Sequence, residues 1–151
     1  MKKAINVILS SLLILGCNNP QKKTEVSEVK SVKDTSHHVV VKDIIELDNG
    51  QKWKINLEMH PFITAGENIL NAYTESRSND FKTLAVQLKE KDAALIKSCT
   101  MKGKSHEELH KWLHPHLELV AELEMAGNEQ QANDLVKQLK KSFQTFHEYF
   151  Q

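Results

Sequence analysis

Four apolar stripes at helical spacing run through residues 61–150, and each is bounded by a residue that starts or breaks a helix. Pro61 suits a helix first turn, and the first stripe, Ile63, Ile69, Leu70 and Tyr73, runs to about Ser76. Asn79 or Asp80 caps a second helix to about Ser98, with Phe81, Leu84, Leu88 and Leu95 inward. Ser105 with Glu108 three residues on has capping-box spacing and opens a third, carrying Leu109, Leu113, His116, Val120 and Leu123. Gly127 stops it, and Asn128 caps a fourth with Leu135, Leu139, Phe143, Phe146 and Phe150 inward. Short connections make neighbours antiparallel, so the expected fold is mainly α, an up-down four-helix bundle. Pro115 should kink the third helix, because it removes an N–H and crowds the carbonyl of Lys111.

A short β-hairpin is expected ahead of the helices, over Val39–Leu57. Ile45, Leu47, Trp53, Ile55 and Leu57 fall on alternate positions around Asp48-Asn49-Gly50. A two-residue Asn-Gly loop would set Glu46 opposite Trp53. A three-residue loop with Gly50 left-handed pairs Ile45 with Trp53 and keeps one apolar face, and is the expected register. Residues 39–151 thus form one folded unit.

The N-terminus has a different character. Lys2 and Lys3 precede an apolar run, Ile5 to Leu15, broken only by Asn6, Ser10 and Ser11. It falls short of the about 20 apolar residues that a membrane-spanning helix takes and has the length of a secretory signal's apolar region. The ending Ile14-Leu15-Gly16-Cys17 resembles the lipobox of bacterial lipoproteins. That resemblance implies a signal peptide over 1–16, diacylation of the Cys17 thiol (palmitate-type chains), and a mature chain anchored to a membrane of the cell envelope outside the cytoplasm, in the periplasm or at the cell surface. More than one acyl chain, at about 0.8 kcal/mol per buried methylene, makes such anchoring stable. Residues 18–38 are polar and without aromatics and read as a flexible tether, in which His37-His38 is incidental. The formal net charge is +0, so no basic excess points to nucleic acid.

With Cys17 taken by lipid, Cys99 is the one remaining thiol, in a compartment where thiols are usually paired. An up-down topology brings the start of helix one, the end of helix two, the start of helix three and the end of helix four to one end. Met59 and His60, Cys99 and Met101, His106 and His110, and His147 fall there. Cys99, Met101, His106 and His110 are the expected metal ligands, with His60 a further candidate. His114 lies well off the apolar stripe and is left out. Thiolate, thioether and imidazole together suit copper(I), and zinc where Met is not a ligand. The bland alternative is a buried cysteine in a helix seam and a methionine filling core.

Ala126-Gly127 through Phe150, with Gln-Gln-Ala, Lys-Gln-Leu-Lys and the Phe146-His147 pair, resembles the last helix of the soluble periplasmic b-type cytochromes of four-helix-bundle fold. The resemblance implies haem b between helices one and four, with His147 and Met59 as axial ligands, in an electron-transfer protein. No Cys-x-x-Cys-His is present for covalent haem attachment.

His106-Glu107-Glu108-Leu109-His110 matches the H-E-x-x-H signature of zinc proteases, and His116 sits at the third-ligand spacing of the metzincins. Leu113 stands where that pattern needs a chain-turning Gly, so His116 points away from His106 round the helix. No Ser-His-Asp arrangement and no phosphate-binding glycine loop are legible. The expectation is a non-enzymatic lipoprotein that binds a transition-metal ion, with haem b the alternative. A structural or interaction module, with Trp112 and the hairpin as contact surfaces, is the third class.

Overall fold

The computed structural model describes residues 44–151. Cys17, the segment 18–38 and residues 39–43 of the expected hairpin lie outside the described residues. A 3-10 turn at Leu57–Met59 leads into four helices: α1 (His60–Ser76), α2 (Phe81–Ser98), α3 (Lys104–Met125) and α4 (Glu129–Tyr149). No described helix is long and apolar enough to cross a membrane.

Local chemistry sets the boundaries. The first N–H groups of a helix have no partner within it, and a short polar side chain at the cap can supply one. The Asp80 carboxylate accepts from Thr83 N–H at 3.1 Å, and the Asn128 amide oxygen accepts from Gln131 N–H at 2.9 Å. α3 starts differently from the capping box expected at Ser105. Gly103 is its cap, at φ 66° and ψ −152°, and no side chain caps the helix. A glycine is required there because that φ crowds any Cβ. Pro115 lies inside α3, which continues through it to Met125.

Consecutive helices pack on one another, and α1 also touches α4. Long-range contacts show that neighbours are antiparallel. Lys82 at the start of α2 donates to the Ala126 carbonyl past the end of α3, at 3.2 Å. Trp112 Nε1 on α3 donates to the Ser142 carbonyl on α4, at 2.8 Å. Gly66 on α1 lets α4 come close: a Cβ there would lie 3.1 Å from Phe143 Cζ. The stripes read from the sequence form the core, with Leu70, Leu88, Leu109, Leu123 and Leu139 essentially inaccessible. Trp112 is 3% exposed, so it belongs to the core and is not the contact surface expected of it.

The segment before α1 departs from the expected register. Asp48 and Gln51 exchange both backbone hydrogen bonds, at 2.8 and 2.9 Å. Asn49 and Gly50 have φ of 50° and 84°. This is the two-residue loop, and it sets Glu46 against Trp53, whose Nε1 donates to the Glu46 carbonyl at 2.6 Å. Past that single bridge no strand forms among the described residues. Trp53 pairs instead with the chain's end. Its N–H donates to Tyr149 O at 2.8 Å, Gln151 N–H donates to Trp53 O at 2.9 Å, and Ile55 N–H donates to Gln151 O at 3.0 Å. The physical reason is burial. Ile55 and Phe150 are covered against the helices, while Leu47 is 41% and Leu57 80% exposed. Packing on α4 outweighs the apolar alternation that an isolated hairpin would have used.

Candidate metal-binding end of the helices

Residues 99–103 connect α2 to α3 and hold the candidate sulfur ligands. Cys99 ends α2 in an extended conformation, φ −72° and ψ 119°, with its N–H on Ile96 O at 3.2 Å. The side chains of Cys99 and Met101 are partly buried against the core. The connection is clamped by one amide: Asn56 Nδ2 donates to Ser98 O at 3.0 Å, and its Oδ1 accepts from Thr100 N–H at 3.1 Å. The Gly103 carbonyl then accepts from the N–H groups of His106 and Glu107, at 3.0 and 3.1 Å, which places His106 in the first turn of α3.

The imidazoles of α3 are the best-defined feature of this end. His106 Nε2 and His110 Nε2 lie 3.0 Å apart, and His110 Nδ1 lies 2.8 Å from His114 Nε2. Successive rings stand edge-to-face, at interplanar angles of 84° and 86°. Residues four apart on a helix share a face, so the three rings form a ladder along it. His106 and His110 are partly buried and His114 is exposed. Burial lowers the pKa of His110, and the neighbouring rings of His106 and His114 lower it further, since each would repel a second positive charge. His114, set aside in the sequence, therefore belongs with the expected pair. Its spacing of four from His110 is the signal that identifies it.

Other candidates are placed apart. No group of three or more His, Cys, Asp or Glu side chains among the described residues is arranged to hold one metal ion. His60 is partly buried at the first position of α1. Met59 is fully buried, whereas His147 is exposed and pairs with Glu67 Oε1 at 2.7 Å. Glu67 lies two helical turns along α1 from Met59, about 12 Å at 1.5 Å per residue. Gly66 and Phe143 close the α1–α4 seam nearby. Met59 and the His147–Glu67 contact thus lie at different levels along α1.

The H-E-x-x-H pattern separates as well. Glu107 is exposed on α3. Glu108 is fully buried and accepts from Lys104 and Lys111, at 2.8 and 2.9 Å, and from Glu46 N–H at 2.8 Å. Burial pushes its pKa up, but hydrogen bonds from Lys104, Lys111 and the Glu46 N–H outweigh it and hold the carboxyl at about 2. It is an internal anchor for the segment before α1.

His116 points inward, away from the ladder, and meets residues that the sequence did not connect with it. Its Nδ1 lies 2.9 Å from Ser142 Oγ on α4 and its Nε2 lies 3.4 Å from Asp92 Oδ1 on α2. The ring stacks on Trp112, with centroids 4.9 Å apart. Asp92 Oδ2 and His116 Nε2 have no hydrogen-bond partner. A Ser-His-Asp set thus exists in space, with His116 and Asp92 buried and both its unpartnered atoms closed off from solvent. Nothing in one sequence marks Asp92 or Ser142 for this role, because the set depends on the register of three helices.

Compared with known protein families, characterised proteins and solved structures, the chain matches none.

Proposed function

We propose that this chain is a lipid-anchored, non-enzymatic protein of the cell envelope, an up-down four-helix bundle that holds a transition-metal ion, copper(I) or zinc, where α2 gives way to α3. The observation that carries this reading is the His106–His110 pair, two imidazole nitrogens 3.0 Å apart on one helix face. The soft donors Cys99 and Met101 lie half-exposed in the connection leading into that helix, and Cys99 has no disulfide partner among the described residues. The C-terminal carbonyls of α2 favour a cation beside them. Cys99 and Met101 would supply the thiolate and thioether that, with the imidazoles, make a set suited to copper(I). Acyl chains on Cys17 would keep the ion carrier at the membrane surface.

The test is thiol protection. Copper(I)-loaded protein should resist alkylation at Cys99 and melt at a higher temperature than apo protein, because the metal deprotonates the thiol and binds only the folded state. Cys99→Ser, and separately His106→Ala with His110→Ala, should each remove most of the thermal shift. Equal alkylation rates with and without copper(I) and zinc, with no change in melting temperature, would leave a structural lipoprotein. The anchor has its own test: Cys17→Ser should abolish fatty-acid incorporation, and acylation persisting in that variant would overturn it.

A further inference from the structure

We propose that His106, His110 and His114 form a ladder that takes one divalent transition-metal ion in either of two positions, with His110 shared between them. It extends the reading above, since it shares His106 and His110 with that site, but it needs no sulfur ligand and it adds His114.

The geometry of the nitrogens carries it. With metal–nitrogen bonds of about 2.0–2.1 Å, two imidazoles at right angles around an ion have nitrogens about 3.0 Å apart, against roughly 3.4 Å in a tetrahedron. The two separations in the ladder are 3.0 and 2.8 Å. In this structure both are hydrogen bonds between ring nitrogens, and their lengths also match neighbouring positions of the square or tetragonal geometry favoured by copper(II) and nickel(II), so an ion can replace the shared proton with little movement of the rings. Water would fill the positions on the solvent side, where His114 is exposed and His110 half-exposed.

The shared ring limits the count. A neutral imidazole has one nitrogen with a free lone pair, and the other carries the proton. When His110 binds through Nε2, with His106, its Nδ1–H donates to His114 Nε2. When it binds through Nδ1, with His114, its Nε2–H donates to His106. The ring outside the ion's pair therefore fixes the tautomer of the shared ligand, a support worth about 10–100-fold in metal affinity. An ion landing at the exposed His110–His114 pair reaches the His106–His110 pair, toward the connection that carries Cys99 and Met101, by a tautomer exchange and a one-turn step along α3. Metal–nitrogen bonds are exchanged, and one His110 N–H bond breaks while the other forms, the proton passing from one ring nitrogen to the other through solvent.

The probe is nickel(II), which does not oxidise the thiol, titrated calorimetrically into the detergent-solubilised full chain carrying His37→Ala and His38→Ala to silence that pair. One ion per chain is expected. His106→Ala and His114→Ala should each keep one ion and weaken binding about tenfold. His110→Ala should abolish binding, because both pairs lose their common member. Cys99→Ser should bind nickel(II) as the parent does. Two ions per chain, unaltered affinity in His114→Ala, or His110→Ala binding no worse than its neighbours' variants would each overturn the ladder. Failure of copper(I) to protect Cys99, with this nickel(II) pattern intact, would overturn the soft-ion site and leave the ladder standing.

Discussion

The backbone N–H of Glu46 donates to Glu108 Oε2 at 2.8 Å, so a residue ahead of all four helices is held by a carboxylate buried in α3. Lys104 and Lys111, on the same helix, neutralise that carboxylate, and Lys111 Nζ also donates to the Ile44 carbonyl at 2.9 Å. The pre-helical segment is thus tied to α3 by charge-assisted bonds more than by strand pairing.

Glu108→Ala should destabilise the protein by about 2 kcal/mol, in the range of hydrogen bonds to charged groups. The cost stays below that of a fully buried ion pair because Lys104 is 53% exposed and its freed ammonium returns to water. The pH dependence has a definite sign. The folded-state pKa, about 2, lies below the ordinary 4.5, so the stabilisation is fully present above about pH 4.5 and is lost as pH falls toward 2. Urea unfolding of the parent and of Glu108→Gln between pH 6 and 2.5 checks this. The variant should show a shallower acid loss, and parallel curves would refute the assignment.

Phe150 is 1% exposed, and its neighbours Tyr149 and Gln151 carry the backbone bonds that hold Trp53 and Ile55. Phe150→Ala should cost about 3 kcal/mol, as large-to-small changes in packed cores do. Trp53 fluorescence should shift to the red well before global unfolding as its anchor loosens. Coincident fluorescence and circular-dichroism transitions, at parental stability, would show that the chain's end contributes nothing.

The contact of His116 with Asp92 and Ser142 predicts a coupling. His116→Phe alone takes the imidazole away from the buried Asp92 carboxylate, at a cost of about 2–3 kcal/mol, while the half-exposed Ser142 hydroxyl can turn to water. Asp92→Leu combined with His116→Phe removes both polar groups and should return to within about 1 kcal/mol of the parent, since apolar replacement of a buried pair is often neutral. A double-mutant cycle on denaturant midpoints measures it, and simple additivity would mean the two side chains do not interact.

Helix number, most helix ends and most of the core were legible from local pattern. Ile63, Leu84, Leu113, Val120 and Phe143 occupy the interior as their spacing required. Asp80 and Asn128 cap as their positions suggested, because capping involves residues three apart and depends on nothing distant. His106 and His110 were legible as a pair for the same reason, and His114 was equally legible by spacing, although its place off the apolar stripe argued against it.

What lies between elements was decided by the tertiary structure. The Asn49-Gly50 turn took the register that spoils the hairpin's apolar face, since burying Ile55 and Phe150 against the helices gains more than pairing Ile45 with Trp53. Glu108 passed for a cap residue and became an internal anion, because Lys104, Lys111 and the Glu46 N–H reach it together. Met59 and His147 share an end of the molecule in topology, yet His147, on α4, meets α1 at Glu67, about two turns beyond Met59. The Asp92–His116–Ser142 set depends on how α2, α3 and α4 slide against one another. Periodicity says which face of a helix is apolar, but it carries no information on axial register. Register is settled only when side chains from different helices compete for the same volume.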